Sequence, residues 1–131
     1  MSSQATIKKT DPEKRYRRVL SASILAGDRV RNSAEEDLGK VNAIMIDTHF
    51  GMVAYAVLSF GGFLGMGDKL FALPWSLLTV DEDKKCFVLD IDKKMLEKAP
   101  GFDKDRWPDM ADHTWGTAIY SYYETKPYWQ E

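Results

Sequence analysis

Residues 41–60 read VNAIMIDTHFGMVAYAVLSF. Two apolar runs, Val41–Ile46 and Val53–Phe60, flank a polar turn, Asp47–Gly51, with glycine at its end. Apolar, β-branched runs separated by a short polar segment are typical of two antiparallel strands joined by a turn. This stretch therefore predicts a β-hairpin.

Similar short runs continue on both sides of the hairpin. An opening strand is predicted over Leu25–Val30, with a turn at Gly39-Lys40, and later strands over Lys69–Trp75, Leu77–Val80 and Cys86–Ile91. About six short strands with no long helical pattern between them indicate a mainly β fold, a small antiparallel β-barrel, and exclude a doubly wound sheet. Pro74 inside an apolar run indicates a strand end or an edge strand.

One short helix is predicted. Asp92 is a suitable N-cap for Lys93–Lys98, and Pro100-Gly101 ends the helical pattern.

Composition places the chain among ordinary globular proteins. It has 131 residues, of which 44% are hydrophobic and 29% charged, with a formal net charge of -2. This size fits one domain, and the charge excludes a strongly basic field of the kind that binds nucleic acid without sequence preference. Cys86 is the only cysteine, and its apolar neighbours indicate a small buried side chain.

Charge and aromatic content divide the chain into three parts. Residues 1–18 carry six basic and two acidic side chains and are expected to form a flexible basic arm. Residues 19–101 hold the predicted barrel. Residues 102–131 hold eight of the sixteen aromatic residues, too many for a disordered tail. We therefore expect this extension to be ordered and to pack on the barrel or on a partner subunit.

Several motifs together resemble the PRC-barrel family, which is named after the cytoplasmic domain of the photosynthetic reaction-centre H subunit and includes the C-terminal domain of the ribosome maturation factor RimM. The resemblance runs from about Ser23 to Phe102 and rests on Leu38–Val41, Asp47–Ser59, Gly61–Lys69, Leu73–Trp75 and Phe87–Asp90. It implies the same architecture that the strand pattern predicts.

The resemblance implies a docking scaffold and not an enzyme, because in both named relatives the barrel docks onto a larger assembly. The sequence shows neither the transmembrane helix of the H subunit nor the domain that precedes the barrel in the ribosome factor. It looks most like the stand-alone bacterial members of the family.

No set of residues predicts a catalytic, cofactor or metal site. The glycine-rich stretch Gly62–Gly67 lacks the following helix of a phosphate-binding loop, so it is expected to be a structural loop. Its apolar residues Phe63 and Leu64 are candidate contacts for a partner. His49 and His113 have no second ligand at a suitable spacing, and Asp81–Asp83 fits a solvated turn.

The aromatic extension is the main candidate for partner binding, because tryptophan and tyrosine are enriched in binding hot spots. The candidate residues are Trp107, Trp115, Tyr122, Tyr123, Tyr128 and Trp129. They form either a lid on their own barrel or an interface between subunits. The prediction is a non-catalytic, cytoplasmic, homodimeric scaffold that binds protein and not nucleic acid, with no transmembrane segment.

Two alternatives stay open. A small-ligand-binding barrel would use Tyr55, Phe60, Phe71 and Trp75 as pocket residues. A peripheral membrane protein, related to photosynthetic electron-transport assemblies, would use the basic run Arg15–Arg18 to contact anionic lipid.

Overall fold

The computed structural model of the chain describes residues 19–60 and 69–130. The strands are β1 (Arg29–Arg31), β2 (Asp37–Asp47), β3 (Met52–Phe60), β4 (Lys69–Pro74), β5 (Leu78–Asp81) and β6 (Cys86–Leu89). The helices are α1 (Ala22–Leu25), α2 (Lys93–Glu97) and α3 (His113–Tyr122), and a 3-10 turn at Trp75–Leu77 joins β4 to β5.

The predicted hairpin is present as β2 and β3, which pair antiparallel from Lys40–Ser59 to Asp47–Met52. Asp47 organises the turn between them. Its carboxylate accepts hydrogen bonds from the backbone N–H groups of His49 and Phe50, and its carbonyl accepts from that of Gly51. These short-range bonds explain why the turn could be predicted from local sequence.

The six strands form one sheet in the order β4-β3-β2-β1-β6-β5, curled into a half-barrel. The mainly β, six-stranded prediction is confirmed, but the expectation of a wholly antiparallel barrel is wrong for one pair. β1 and β6 run parallel, with Val30 opposite Phe87. Their pairing joins distant parts of the chain, which hairpin patterns do not report.

The opening segment also differs from the prediction. Leu25 ends helix α1, and only Arg29–Arg31 forms a strand there. Gly39 lies inside β2 and not in a turn. Its φ of +116° and its closeness to β3 both require glycine, because a Cβ at residue 39 would stand 2.1 Å from the Ser59 carbonyl oxygen.

β3 lies at the centre of the packing. Ala54–Phe60 are seven consecutive buried residues, although side chains of a strand alternate between two faces. Both faces of β3 are therefore covered, and the run shows no polar–apolar alternation for this reason.

Two shorter predictions are confirmed, and two helices of the described residues were missed. The Asp92 side chain accepts a hydrogen bond of 3.0 Å from the Met95 N–H and so caps α2. Pro74 ends β4, an edge strand of the sheet. The one-helix prediction is too low, because α1 and the ten-residue α3 are also present.

Candidate interaction surface

The C-terminal segment begins against an edge of the sheet. Backbone N–H and carbonyl groups of Phe102 and Leu70 form two hydrogen bonds of 2.8 and 3.0 Å beside β4. Residues 103–112 then form a mostly exposed strap that leads to α3. The Asp112 carboxylate caps α3 by accepting from the Thr114 N–H at 2.9 Å. This cap is the sequence signal that could have revealed the helix.

Helix α3 covers the Tyr55 side of β3. The Trp115 and Tyr55 rings meet edge to face, with centroids 5.2 Å apart. The Tyr120 side chain is buried, and its hydroxyl donates a hydrogen bond of 2.8 Å to the Ala54 carbonyl. Gly116 allows this close approach, since a Cβ there would stand 2.7 Å from the Tyr55 hydroxyl. The helix therefore packs directly on the sheet of its own chain.

The last residues of the segment reach the β2–β3 turn. The Tyr128 hydroxyl donates a hydrogen bond to the Asp47 carboxylate, and the Tyr128 ring meets Phe50 edge to face. The hydrogen bond from Tyr128 is the main cause that lowers the pKa of Asp47, with help from the turn N–H groups. The Trp129 ring stacks on the His113 ring, with the ring centroids 4.0 Å apart. The segment is thus attached to β4 at its beginning, to the first half of β3 through α3, and to the β2–β3 turn at its end.

The predicted partner-binding residues take different positions. Tyr123 is buried, and the Tyr122 hydroxyl donates to the Met95 carbonyl at 2.5 Å. Trp115, Tyr128 and Trp129 are part-buried in the contacts just described. Trp107 is 40% exposed on the strap, where its indole N–H donates to the Lys104 carbonyl. Phe63 and Leu64 lie outside the described residues.

Sequence reasoning missed the most exposed apolar group near this segment. Ile46, Phe50 and Met52 surround the tip of the β2–β3 hairpin with exposed fractions of 54%, 50% and 39%. We call these three residues the hairpin-tip patch. The signal was present in the sequence, because Phe50 and Met52 flank Gly51 in a turn that has no need of large apolar side chains. The patch is continuous with the C-terminal segment through the Phe50–Tyr128 contact.

The residues proposed for a ligand-binding barrel mostly pack against other rings. Tyr55 contacts three aromatic residues of the C-terminal segment, Phe60 contacts Phe71, and Trp75 contacts Phe87. Phe60 also borders an open groove of about 430 Å³. The other residues that line this groove are of mixed charge or small: Arg29, Glu36, Asp37, Gly39 and Lys93.

Buried ionisable groups are held in their neutral forms. Burial raises the pKa of the Cys86 thiol and raises that of Tyr55 to about 12. Within residues 19–60 and 69–130, no three histidine, cysteine, aspartate or glutamate side chains are grouped as ligands for a metal ion. No helix in the described part of the chain is both long enough and apolar enough to cross a membrane.

The curved six-stranded sheet, with its one parallel pair β1–β6, defines the chain as a small barrel-like module. Residues 18–96 match the PRC-barrel domain, which is more than half of the chain. The chain therefore belongs to the PRC-barrel family, as its motifs indicated. A search of curated proteins found no match. The matched region contains the hairpin-tip patch but ends before the strap and α3.

Proposed function

We propose that this chain is a non-catalytic interaction module of the cytoplasm, which forms a homodimer and binds protein through the hairpin-tip patch and the adjoining C-terminal segment. The observation that carries the proposal is the exposure of Ile46, Phe50 and Met52 at one end of the sheet. Large apolar side chains that stay exposed at one end of a sheet are candidates for contact with a partner.

The patch is also held in a fixed conformation. Asp47 accepts hydrogen bonds from two turn N–H groups and from the Tyr128 hydroxyl, so the turn is tied to β2, β3 and the C-terminal segment at once. A surface that is ordered before binding loses less conformational entropy when a partner docks. This arrangement supports a docking role for the hairpin tip.

The state of the buried groups supports the non-catalytic part of the proposal. The Cys86 thiol lies within β6, and burial disfavours the thiolate that nucleophilic chemistry requires. The Tyr55 hydroxyl is covered by α3. Both groups face packed neighbours and are closed to a substrate.

Light scattering on the full chain tests the dimer. We expect a mass of twice 15.0 kDa at tens of micromolar, and a lower dimer fraction for Phe50→Ser/Met52→Ser. Met52→Ser alone leaves the Phe50–Tyr128 contact in place, so it separates loss of the patch from loss of C-terminal packing. Ile24→Ser, at a 72% exposed residue of α1 that is not part of the hairpin-tip patch, is the matched control. A monomer under these conditions would contradict the dimer.

Protein binding is tested with the same variants as baits in a cytoplasmic extract. A partner retained by wild type and by Ile24→Ser, but lost with Met52→Ser, would place binding at the hairpin tip. Equal retention by all baits would move the binding surface elsewhere.

A further inference from the structure

Two buried tyrosine hydroxyls oppose the packing of the C-terminal segment on the sheet. Tyr55 on β3 and Tyr123, which directly follows α3, are 0% and 5% exposed. Neither hydroxyl has a hydrogen-bond partner among the described residues, and that of Tyr55 lies beside Gly116 of α3. Each hydroxyl gives up its hydrogen bonds to water when the segment packs, and no bond to a described residue replaces them. Burial of both hydroxyls therefore costs free energy.

The strap between the sheet and α3 is suited to act as a hinge. Residues 103–112 are mostly exposed. Their backbone hydrogen bonds close small turns within the strap. The Arg106 N–H donates to the Asp103 carbonyl, and the Asp112 N–H donates to the Asp109 carbonyl. Because these bonds are local, the strap can change direction without breaking the pairing of the strands.

Three tyrosine hydroxyls fasten the rest of the segment to the barrel. Each donates one hydrogen bond: Tyr120 to the Ala54 carbonyl, Tyr122 to the Met95 carbonyl and Tyr128 to the Asp47 carboxylate. The strands of the barrel are joined instead by backbone ladders, such as those of β3 with β2 and β4. Release of the segment would therefore break side-chain contacts and leave the ladders in place.

Part of the core lies away from the segment. Val30, Phe87 and Leu89 are fully buried on β1 and β6, while α3 packs on β3 and β4 at the opposite end of the strand order. We propose that residues 103–130 open from the sheet as one unit, hinged at the strap, while the barrel stays folded. Proteins open in this way through cooperative units that need less free energy than global unfolding.

Opening would divide the surface to which we assign partner binding. The hairpin-tip patch and the C-terminal segment are joined by the contact of Tyr128 with Phe50 and by its hydrogen bond to Asp47. Both are lost when the segment opens, so only the closed form carries the complete docking surface. The segment then acts as a switch. This last step rests on the proposed function, whereas the opening itself does not.

The test is native-state hydrogen exchange of the full chain at a series of low urea concentrations, measured by mass spectrometry. We expect the amides of α3 to exchange faster than those of β6 and with a weaker dependence on urea, because opening exposes less surface than unfolding. Tyr55→Phe removes an unsatisfied hydroxyl and should slow α3 exchange about fivefold. Tyr120→Phe removes a hydrogen-bonded hydroxyl and should speed it about tenfold.

Phe87→Leu is the matched control, because Phe87 is buried on β6. It should speed β6 exchange by destabilising the barrel and leave α3 exchange unchanged. Equal rates and urea slopes for α3 and β6 in wild type would overturn the proposal, since the segment would then leave only when the whole chain unfolds. An α3 rate that follows β6 in Phe87→Leu, or faster α3 exchange in Tyr55→Phe, would overturn it as well.

Protein concentration tests the switch separately from the opening. If light scattering shows a dimer, α3 exchange should slow as the dimer fraction rises, because the second copy binds only the closed form. Equal α3 exchange in monomer and dimer would overturn the switch. A monomer at every concentration would contradict the proposed dimer and the switch with it, while the exchange rates of the variants would still decide the opening.

Discussion

Gly116 of α3 lies against the hydroxyl group of Tyr55 on β3. A methyl group at residue 116 would stand 2.7 Å from that oxygen and 2.7 Å from the Trp129 ring. Tyr55 is fully buried and has aromatic neighbours on several sides, so it has little room to move. The closeness of α3 to the sheet therefore depends on the absence of a side chain at one helical residue.

Gly116→Ala is expected to destabilise the protein by about 1–2 kcal/mol. Alanine favours a helix by about 1 kcal/mol over glycine, but overpacking of a buried contact costs about 1–3 kcal/mol, and here the methyl group meets two rings. Urea unfolding measures the difference. Thr117→Ala, at an exposed residue of the same helix, should change stability by no more than about 0.5 kcal/mol. A Gly116→Ala protein as stable as wild type would show that α3 can move away from Tyr55 at no cost.

Gly39→Ala and Gly51→Ala separate steric overlap from backbone strain. Both residues have positive φ, but a Cβ at Gly39 would overlap the Ser59 carbonyl oxygen, while one at Gly51 would meet nothing within 4 Å. We expect a loss of about 3 kcal/mol or more for Gly39→Ala, and of about 1 kcal/mol for Gly51→Ala. Chemical denaturation of both variants gives the comparison. Equal losses would mean that φ alone accounts for the effect.

Tyr120→Phe and Tyr123→Phe remove the same atom from two buried side chains. The Tyr120 hydroxyl donates to the Ala54 carbonyl, whereas the buried Tyr123 hydroxyl has no hydrogen-bond partner among the described residues. Loss of a buried partner costs about 1–3 kcal/mol, while removal of an unsatisfied hydroxyl costs little. Thermal or urea unfolding should therefore show a clear loss for Tyr120→Phe and about no loss for Tyr123→Phe. The reverse order would contradict the assigned hydrogen bond.

Stability is expected to fall at alkaline pH. Burial raises the pKa of Tyr55 to about 12 in the folded protein and raises those of Tyr120 and Tyr123 as well, whereas an unfolded tyrosine has a pKa of about 10. Below pH of about 10 both states keep the proton, so this contribution to stability is fully present. As the pH rises toward about 12, the unfolded state loses its protons first, so its free energy falls relative to that of the folded state and stability is lost.

Urea unfolding tests this dependence when it is measured at neutral pH and again at a pH between the unfolded pKa of about 10 and the folded pKa of about 12. Tyr55→Phe removes one of the groups, so its stability should fall less steeply with pH than that of wild type. Parallel pH profiles for the two proteins would show that Tyr55 ionises as readily in the folded state as in the unfolded one.

Local sequence was sufficient where a few neighbouring residues complete a structure among themselves. Asp47 closes the β2–β3 turn with backbone groups two to four residues away, and Asp92 caps α2 through Met95. Asp112 caps α3 in the same way. The apolar periodicity of this helix is weak, however, because the helix contains a glycine and follows the polar strap. The number of aromatic residues in the segment predicts that it is ordered, but does not say what each ring contacts.

The candidate functional residues also fall into two groups, those whose position local sequence predicts and those whose position it does not. The aromatic content of residues 102–131 predicted an ordered segment, but not which rings turn inward: Tyr123 is buried while Trp107 stays exposed. The strand pattern does not predict the exposure of Ile46, Phe50 and Met52, because it does not say which end of the sheet is left uncovered. Their exposure depends on where the C-terminal segment stops along β3.

Local sequence is enough to predict a mainly β chain of the PRC-barrel family, with its central hairpin, its capped α2 and an aromatic C-terminal extension. These features follow from short apolar β-branched runs, turn chemistry and composition, which act between near neighbours. Three features come from long-range packing instead: the parallel pairing of β1 with β6, the requirement for glycine at residues 39 and 116, and the exposure of the hairpin tip. Each of these depends on the distance between segments far apart in the chain, and that distance exists only once the sheet has curled and α3 has packed on it.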